Sequence, residues 1–262
     1  MTRKKISLNA EDAAKLNRAL SANSEELYQL IHDPQPEVLL TILKNRLLND
    51  EHLLALLQRR DLPEELLSRI YQRRRESLSH KLLLALVKNP ALPGNILRNL
   101  LPQLRLFELV DVCFMPGVTP DQKMAAERII LQRLPTTPLG NKIALARRTT
   151  TNIVAELLKE GNPAVMDACL NSPRLKEAAI FQFLRGPKSS AETISMIARH
   201  SRWQQRPNLR LAILKNPRTP DIWFTLWLPK LSPALLKQLL AAPSLKAKQK
   251  KMIGNELKCR RI

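Results

Sequence analysis

The sequence predicts an all-α fold, an α-solenoid of short helical repeats, from three observations. The 262 residues include 19 prolines but only 6 glycines, and no Asn-Gly or Asp-Gly dipeptide that would favour a β-hairpin. Apolar residues recur at helical spacing in short runs between prolines, as at Leu53, Leu54, Leu56 and Leu57. Helices this short are marginal alone in water, so neighbouring helices must stabilise them. The third observation is an internal repeat of long period.

The repeat is clearest at a proline-rich joint. Residues 86–93 read LVKNPALP, and residues 213–220 read ILKNPRTP, at an offset of 127 without a gap. The same offset relates residues 101–104 to 228–231, and it pairs further apolar residues and prolines along the chain. We therefore predict two duplicated halves, residues 8–134 and 135–261. They form one continuous solenoid over residues 11–262, preceded by a basic tail at residues 1–10.

Each copy of the joint predicts a helix end followed by a helix start. Lys88 suits the negative end of a helix dipole, and Asn89 tolerates the left-handed conformation that ends many helices. Proline cannot continue a helix but is accepted in the first turn of the next one. In the second copy Thr219 is the expected N-cap, with Asp221 in the first turn.

The joints also carry a family resemblance. The Asn-Pro-x-x-Pro pattern at residues 89–93 and 216–220 resembles HEAT-like repeats of the leucine-rich-repeat-variant type. PGVTPDQ at 116–122 and LPTTPLGNK at 134–142 are similar to segments of a group of bacterial repeat proteins. The resemblance implies a curved all-helical solenoid in a bacterial cytoplasm, and it supplies no activity. Some leucine-rich-repeat-variant proteins carry an iron–sulfur cysteine cluster before the repeats. This sequence has none, so no cofactor is expected.

Conventional catalytic and metal-binding motifs are missing from the sequence. The three cysteines (Cys113, Cys169, Cys259) are scattered without CxxC spacing, and with the four histidines they give no zinc or iron–sulfur pattern. HExxH, GxSxG, Walker A and GxGxxG are absent. We therefore predict no enzyme, no catalytic residue and no metal ligand. No apolar run is long enough to cross a bilayer, so we expect a cytoplasmic protein without a membrane partner.

The positive charge is concentrated in the second half. Residues 135–262 hold 23 Lys and Arg against 7 Asp and Glu, whereas residues 1–134 hold 20 against 16. This asymmetry favours a polyanionic partner, bound largely through phosphates. The candidate polyanion-binding residues are Arg185, Lys188, Arg199, Arg202, Trp203, Arg206, Arg210, Lys215 and Arg218.

Five of these cations are expected to form one ridge, in which Arg199, Arg202 and Arg206 join Lys215 and Arg218. Trp203 is expected either to stack on a base or to lie under an arginine. For each cation the alternative is a solvated helix end that complements a dipole.

Three functions remain open at the level of sequence. The first is non-catalytic binding of nucleic acid, DNA or RNA, and the second is a scaffold for an acidic or helical protein partner. A remote third is a HEAT-like alkylpurine DNA glycosylase, whose ingredients would be Trp203, Asp221, Trp223 and Trp227. Against it, Trp223 and Trp227 replace two aliphatic residues of the first half at the offset of 127, which suggests core packing. The sequence indicates no oligomeric state.

Overall fold

The computed structural model describes residues 10–260, which form α-helices and short 3-10 turns and contain no β-strand. The predicted all-α fold is confirmed. The chain divides into two compact units, Met1–Ile129 and Ile130–Ile262. The predicted basic tail at residues 1–10 lies outside the described residues, apart from Ala10, which begins the first helix. None of the helices within residues 10–260 is long and apolar enough to span a membrane.

The first unit is built from short helices whose neighbours in space are close in sequence. Helix α1 contacts α3, which contacts α5, while α2 contacts α4, which contacts α6. Odd and even helices thus form two layers, with an aliphatic core that includes Leu27, Leu56 and Leu86. The helices are α1 (Ala10–Ser21), α2 (Ser24–Leu30), α3 (Pro36–Ile42), α4 (Asp50–Leu56), α5 (Glu64–Arg74), α6 (His80–Lys88), α7 (Gly94–Leu100), α8 (Leu106–Phe114) and α9 (Pro120–Arg133), and α9 contains the unit boundary.

The second unit follows the same plan. Its helices are α10 (Leu139–Arg148), α11 (Thr151–Lys159), α12 (Pro163–Leu170), α13 (Glu177–Arg185), α14 (Ala191–Arg199), α15 (Ser201–Gln204), α16 (Pro207–Leu214), α17 (Asp221–Trp227), α18 (Pro233–Leu240) and α19 (Ala247–Cys259). Helices α10, α12 and α14 form one series of contacts, and α11, α13 and α16 form the other. Phe183 and Phe224 are fully buried in the core of this unit.

The helix starts repeat with the sequence. The eight helices α2 to α9 each begin 127 residues before one of the eight helices α11 to α14 and α16 to α19. The starts follow from local chemistry. Asn162 accepts hydrogen bonds from the first turn of α12 while Pro163 occupies the first helical position. Ser232 and Pro233 do the same for α18.

The side chain of the asparagine ties each Asn-Pro joint to a segment about 30 residues earlier in the chain. Asn89 is extended (φ −80°, ψ 123°), so the expected left-handed conformation is wrong. Its Nδ2 donates to the Arg59 carbonyl at 2.9 Å, and its Oδ1 accepts from the Ala91 amide at 3.1 Å. Thr219, the expected N-cap, is instead buried and donates to the Ile213 carbonyl, because Pro220 takes the cap position.

Arginine side chains make a second recurrent contact between helices. Arg59 Nη1 donates to the carbonyl oxygens of Ile31 and Asp33, at 2.6 and 2.9 Å. These carbonyls lie at the end of α2, where the helix itself supplies no donor. Part of the positive charge of the chain therefore serves to close helix ends. The same kind of contact, to carbonyls 25 to 32 residues earlier in the chain, is made by Arg174, Arg202, Arg218 and Arg260.

Candidate polyanion-binding site

Five of the nine candidate residues carry cationic side chains without an acidic partner. Within residues 10–260, the side chains of these five form no ion pair and no hydrogen bond. Four of them lie at helix ends and Lys188 lies in the turn between α13 and α14, and all but the half-buried Lys215 are exposed. They are Arg185, Lys188, Arg199, Arg206 and Lys215. Their charge is therefore available to a ligand.

Three further candidates hold the structure together. Arg202 donates from Nη1 to the Ser172 carbonyl at 2.8 Å and from Nη2 to the Leu175 carbonyl at 3.2 Å. Arg218 Nη1 donates to three carbonyl oxygens in the segment 186–189. Arg210 donates from Nε to the Gln204 carbonyl. These three guanidinium groups are held by main-chain carbonyl oxygens of neighbouring segments, whatever they bind in addition.

Trp203 belongs to the core. Only 3% of its surface is exposed, and its indole Nε1 donates to the Leu170 carbonyl at 3.1 Å. The Arg202 guanidinium lies 4.4 Å from the ring centroid. The prediction that Trp203 stacks on a base is therefore wrong, because no ring face is open to a ligand. The other predicted arrangement, in which the ring lies under an arginine, is the one observed.

Seven of the eight candidate cations fall into two groups, at the two ends of α16. Arg206 is the N-cap of α16, and Lys215 is its C-cap. Because the two caps are nine residues apart and a helix rises about 1.5 Å per residue, they are separated by about 14 Å. The start cluster comprises Arg199, Arg202 and Arg206, and the end cluster comprises Arg185, Lys188, Lys215 and Arg218. The predicted ridge would therefore have to run along the whole of α16, and it stays a prediction.

The end cluster surrounds an open groove of about 930 Å³ between α13 and α16. Arg185, Lys215 and Arg218 line it, and Lys188 lies between two lining residues in the chain. The apolar lining includes Phe181, Leu184, Leu211 and Ala212, and the polar lining includes Ser189, Asn208, Asn216, Gln238 and Ser244. No acidic side chain is among the lining residues. The groove, hereafter the unit-2 groove, therefore combines an apolar floor with a cationic rim.

Within residues 10–260, no acidic side chain forms an ion pair with a cation of these clusters. Residues 135–262 contain seven Asp and Glu. Four of the seven pair with cations outside the candidate set, in the pairs Glu156–Lys159, Glu160–Lys142, Asp221–Lys248 and Glu256–Arg260. The second unit thus presents a positive potential that attracts anions.

The residues considered for a glycosylase do not form an open pocket. Trp223 and Trp227 are each 7% exposed, and their ring centroids lie 5.0 Å apart. Trp223 Nε1 donates to the Ser195 hydroxyl at 3.0 Å. Asp221 is engaged by Lys248. These contacts favour the core interpretation of both tryptophans and leave no exposed indole face for a flipped base.

The two buried cysteines, Cys113 and Cys169, are unsuited to nucleophilic chemistry. Burial raises the pKa of the Cys169 thiol to about 12 and that of Cys113 to about 11, with the Glu127 charge adding to the second shift. Such thiols remain protonated near neutral pH. Within residues 10–260, no three His, Cys, Asp or Glu side chains are grouped so as to hold a metal ion.

The groove itself was not anticipated from the sequence. The lining residues Phe181, Asn208, Leu211 and Gln238 belong to none of the motifs that the sequence analysis singled out. A usable signal existed in the repeat, since Leu211 and its counterpart 127 residues earlier are both leucine.

Comparison with known proteins gave no match: no family model fits the chain, and no curated protein or solved structure is significantly similar. The function must therefore be inferred from the molecule itself.

Proposed function

We propose that this protein is a non-catalytic binding protein that holds nucleic acid through basic side chains of its second unit. The observation that carries the proposal is the set of five unpaired cations in a unit where most acids are engaged elsewhere. Contacts of this kind bind phosphates through charge and counterion release, without reading sequence. The two ends of α16, about 14 Å apart, match the length of about four base pairs of duplex, given about 3.4 Å of axis per base pair.

We further propose that the two units arose by duplication and that each is a stack of HEAT-like helical repeats. The eight matched helix starts and the recurrent arginine contacts support this origin. Stacked repeats present successive helix ends to solvent on the same side. Their charges can then change while the core and the joints stay the same, as at Ala91 and its counterpart Arg218.

The proposal is tested by titrating labelled duplex DNA, single-stranded DNA and RNA with the protein and following fluorescence anisotropy. With five phosphate contacts and a slope of about −0.9 per contact, the affinity for duplex falls about 500-fold between about 50 and 200 mM salt. If the protein bound none of the three nucleic acids at the lower salt concentration, the proposal would be overturned.

A charge-reversal pair locates the site. Arg199→Glu with Arg206→Glu should weaken binding about tenfold or more, because both side chains are exposed and unpaired. Arg202 is left unchanged, since replacing it would also open a helix end. The matched control is Lys44→Glu with Arg46→Glu, an exposed pair in the first unit that changes the net charge equally. Equal losses in both double variants would show only a net-charge effect and would remove the site from the second unit.

A further inference from the structure

The first unit contains a groove equivalent to the unit-2 groove. It lies between α4 and α6 and has a volume of about 540 Å³. All ten residues that line this unit-1 groove have counterparts 127 residues later, and all ten counterparts line the unit-2 groove. A concave site has therefore been kept in both units, although the sequence alone placed function only in the second.

The two grooves share an apolar floor. Leu54 and Leu84 in the first unit correspond to Phe181 and Leu211 in the second, and all four are half-buried. Half-buried apolar side chains that line a groove leave part of their surface in water. Covering that surface is favourable for any ligand with apolar groups of its own.

The two grooves also share a cationic rim, although the positions of the charges differ. Lys88 and its counterpart Lys215 line both grooves. In the first unit Arg60 and Lys81 line the groove where the second unit has proline and asparagine. In the second unit Arg185 replaces a glutamine. None of these five cations forms an ion pair within residues 10–260, and no acidic residue lines either groove.

We propose that each groove binds an acidic amphipathic peptide segment, so that one chain holds two such segments. Apolar side chains of the peptide pack on the floor, while its carboxylates meet the cations of the rim. A strand of nucleic acid fits less well, because bases are held by stacking on aromatic faces. The unit-1 groove has no aromatic lining residue, and the unit-2 groove has only Phe181.

The peptide proposal does not depend on nucleic-acid binding, but the peptide and the nucleic acid would share part of one site. Arg185 and Lys215 belong both to the unit-2 groove and to the proposed phosphate contacts. Nucleic acid should therefore displace the peptide from the second unit and leave the peptide in the first unit bound.

A matched pair of substitutions can close each groove separately. Ala85 and Ala212 occupy equivalent half-buried helical positions in the two floors. Glutamate there keeps a good helix former and adds both bulk and a negative charge against the peptide. The probe is a synthetic peptide with leucines at i, i+3, i+4 and i+7 and glutamates elsewhere, and calorimetry gives its stoichiometry.

We expect two peptides per chain for the unaltered protein, one for Ala85→Glu, one for Ala212→Glu and none for the double variant. Far-UV circular dichroism checks that each variant is folded. Absence of binding to the unaltered protein would overturn the proposal. A single site that survives Ala85→Glu and is lost in Ala212→Glu would overturn the site in the first unit.

Two control peptides separate this proposal from general attraction to anions. A peptide of the same pattern with lysine in place of glutamate should not bind, because the rim repels it. Polyglutamate of equal length should bind at least tenfold more weakly than the probe, since it cannot cover the floor. Equal affinity for polyglutamate and the probe would overturn the role of the floor, even if nucleic acid binds as proposed. Loss of nucleic-acid binding in Ala85→Glu, with no peptide bound to the unaltered protein, would reassign the grooves to nucleic acid.

Discussion

Asn216 provides the sharpest test of how the joints stabilise the second unit. Its Nδ2 donates to the Leu184 carbonyl at 2.7 Å, its Oδ1 accepts from the Arg218 amide at 2.8 Å, and the residue is 7% exposed. Asn216→Ala removes both hydrogen bonds and leaves two main-chain groups without this partner. At about 1 kcal/mol net for each hydrogen bond, and more where a buried group stays unsatisfied, the free energy of unfolding should fall by about 2–3 kcal/mol.

Urea denaturation followed by tryptophan fluorescence measures this change in the second unit alone, because all three tryptophans lie there. Asn208→Ala is the control, since Asn208 is exposed and its side chain forms no hydrogen bond within residues 10–260. It should change the stability by less than about 0.5 kcal/mol. If Asn216→Ala changed the stability as little as the control, the joint would not be held by its asparagine.

Three further predictions concern residues around the core. Trp203→Phe should lower the stability of the second unit by about 1–2 kcal/mol, because the hydrogen bond from the indole to the Leu170 carbonyl is lost. The affinity for nucleic acid should stay unchanged in the anisotropy titration. A thiol reagent at about pH 8 should modify only the exposed Cys259 in the native protein, because burial raises the pKa of Cys113 and Cys169. After unfolding, the reagent should modify all three cysteines. Rapid modification of all three thiols in the native protein would contradict this prediction. Burial lowers the pKa of His200 below its ordinary 6.5; the charge of Arg202 adds to this shift and that of Asp167 opposes it. The unfolded state therefore binds the proton more tightly than the folded state does. The contribution to stability is therefore complete above pH 6.5, and it is lost as the pH falls below 6.5 and through the lower pKa of the folded state. His200→Gln should reduce the difference between urea titrations at about pH 7.5 and about pH 5.5.

Much of the secondary structure could be predicted from the sequence because the relevant forces are local. A proline cannot continue a helix, and an asparagine or serine before it can cap the next one, as Asn162 and Ser232 do. The repeat at an offset of 127 predicted which helices would correspond, and the observed helix starts follow that offset.

The tertiary contacts could not be predicted in the same way. Periodicity shows that Asn89 ends a helix, but not that its side chain reaches a carbonyl 30 residues earlier. Tryptophan within a run of arginines suggested a surface site, whereas Trp203 finds a buried carbonyl partner in α12. The sequence also did not show that Arg206 and Lys215, which are near in the chain, are separated by the whole of α16.

The salt dependence of duplex DNA binding tests the central claim most directly. For the unaltered protein, the logarithm of the binding constant should fall linearly with the logarithm of the salt concentration. In Arg199→Glu with Arg206→Glu the slope should be smaller by about 1.8, because two phosphate contacts at about 0.9 each are lost. The control pair Lys44→Glu with Arg46→Glu should keep the original slope. An unchanged slope in the Arg199 and Arg206 variant, or no binding by the unaltered protein at low salt, would contradict phosphate binding by the second unit.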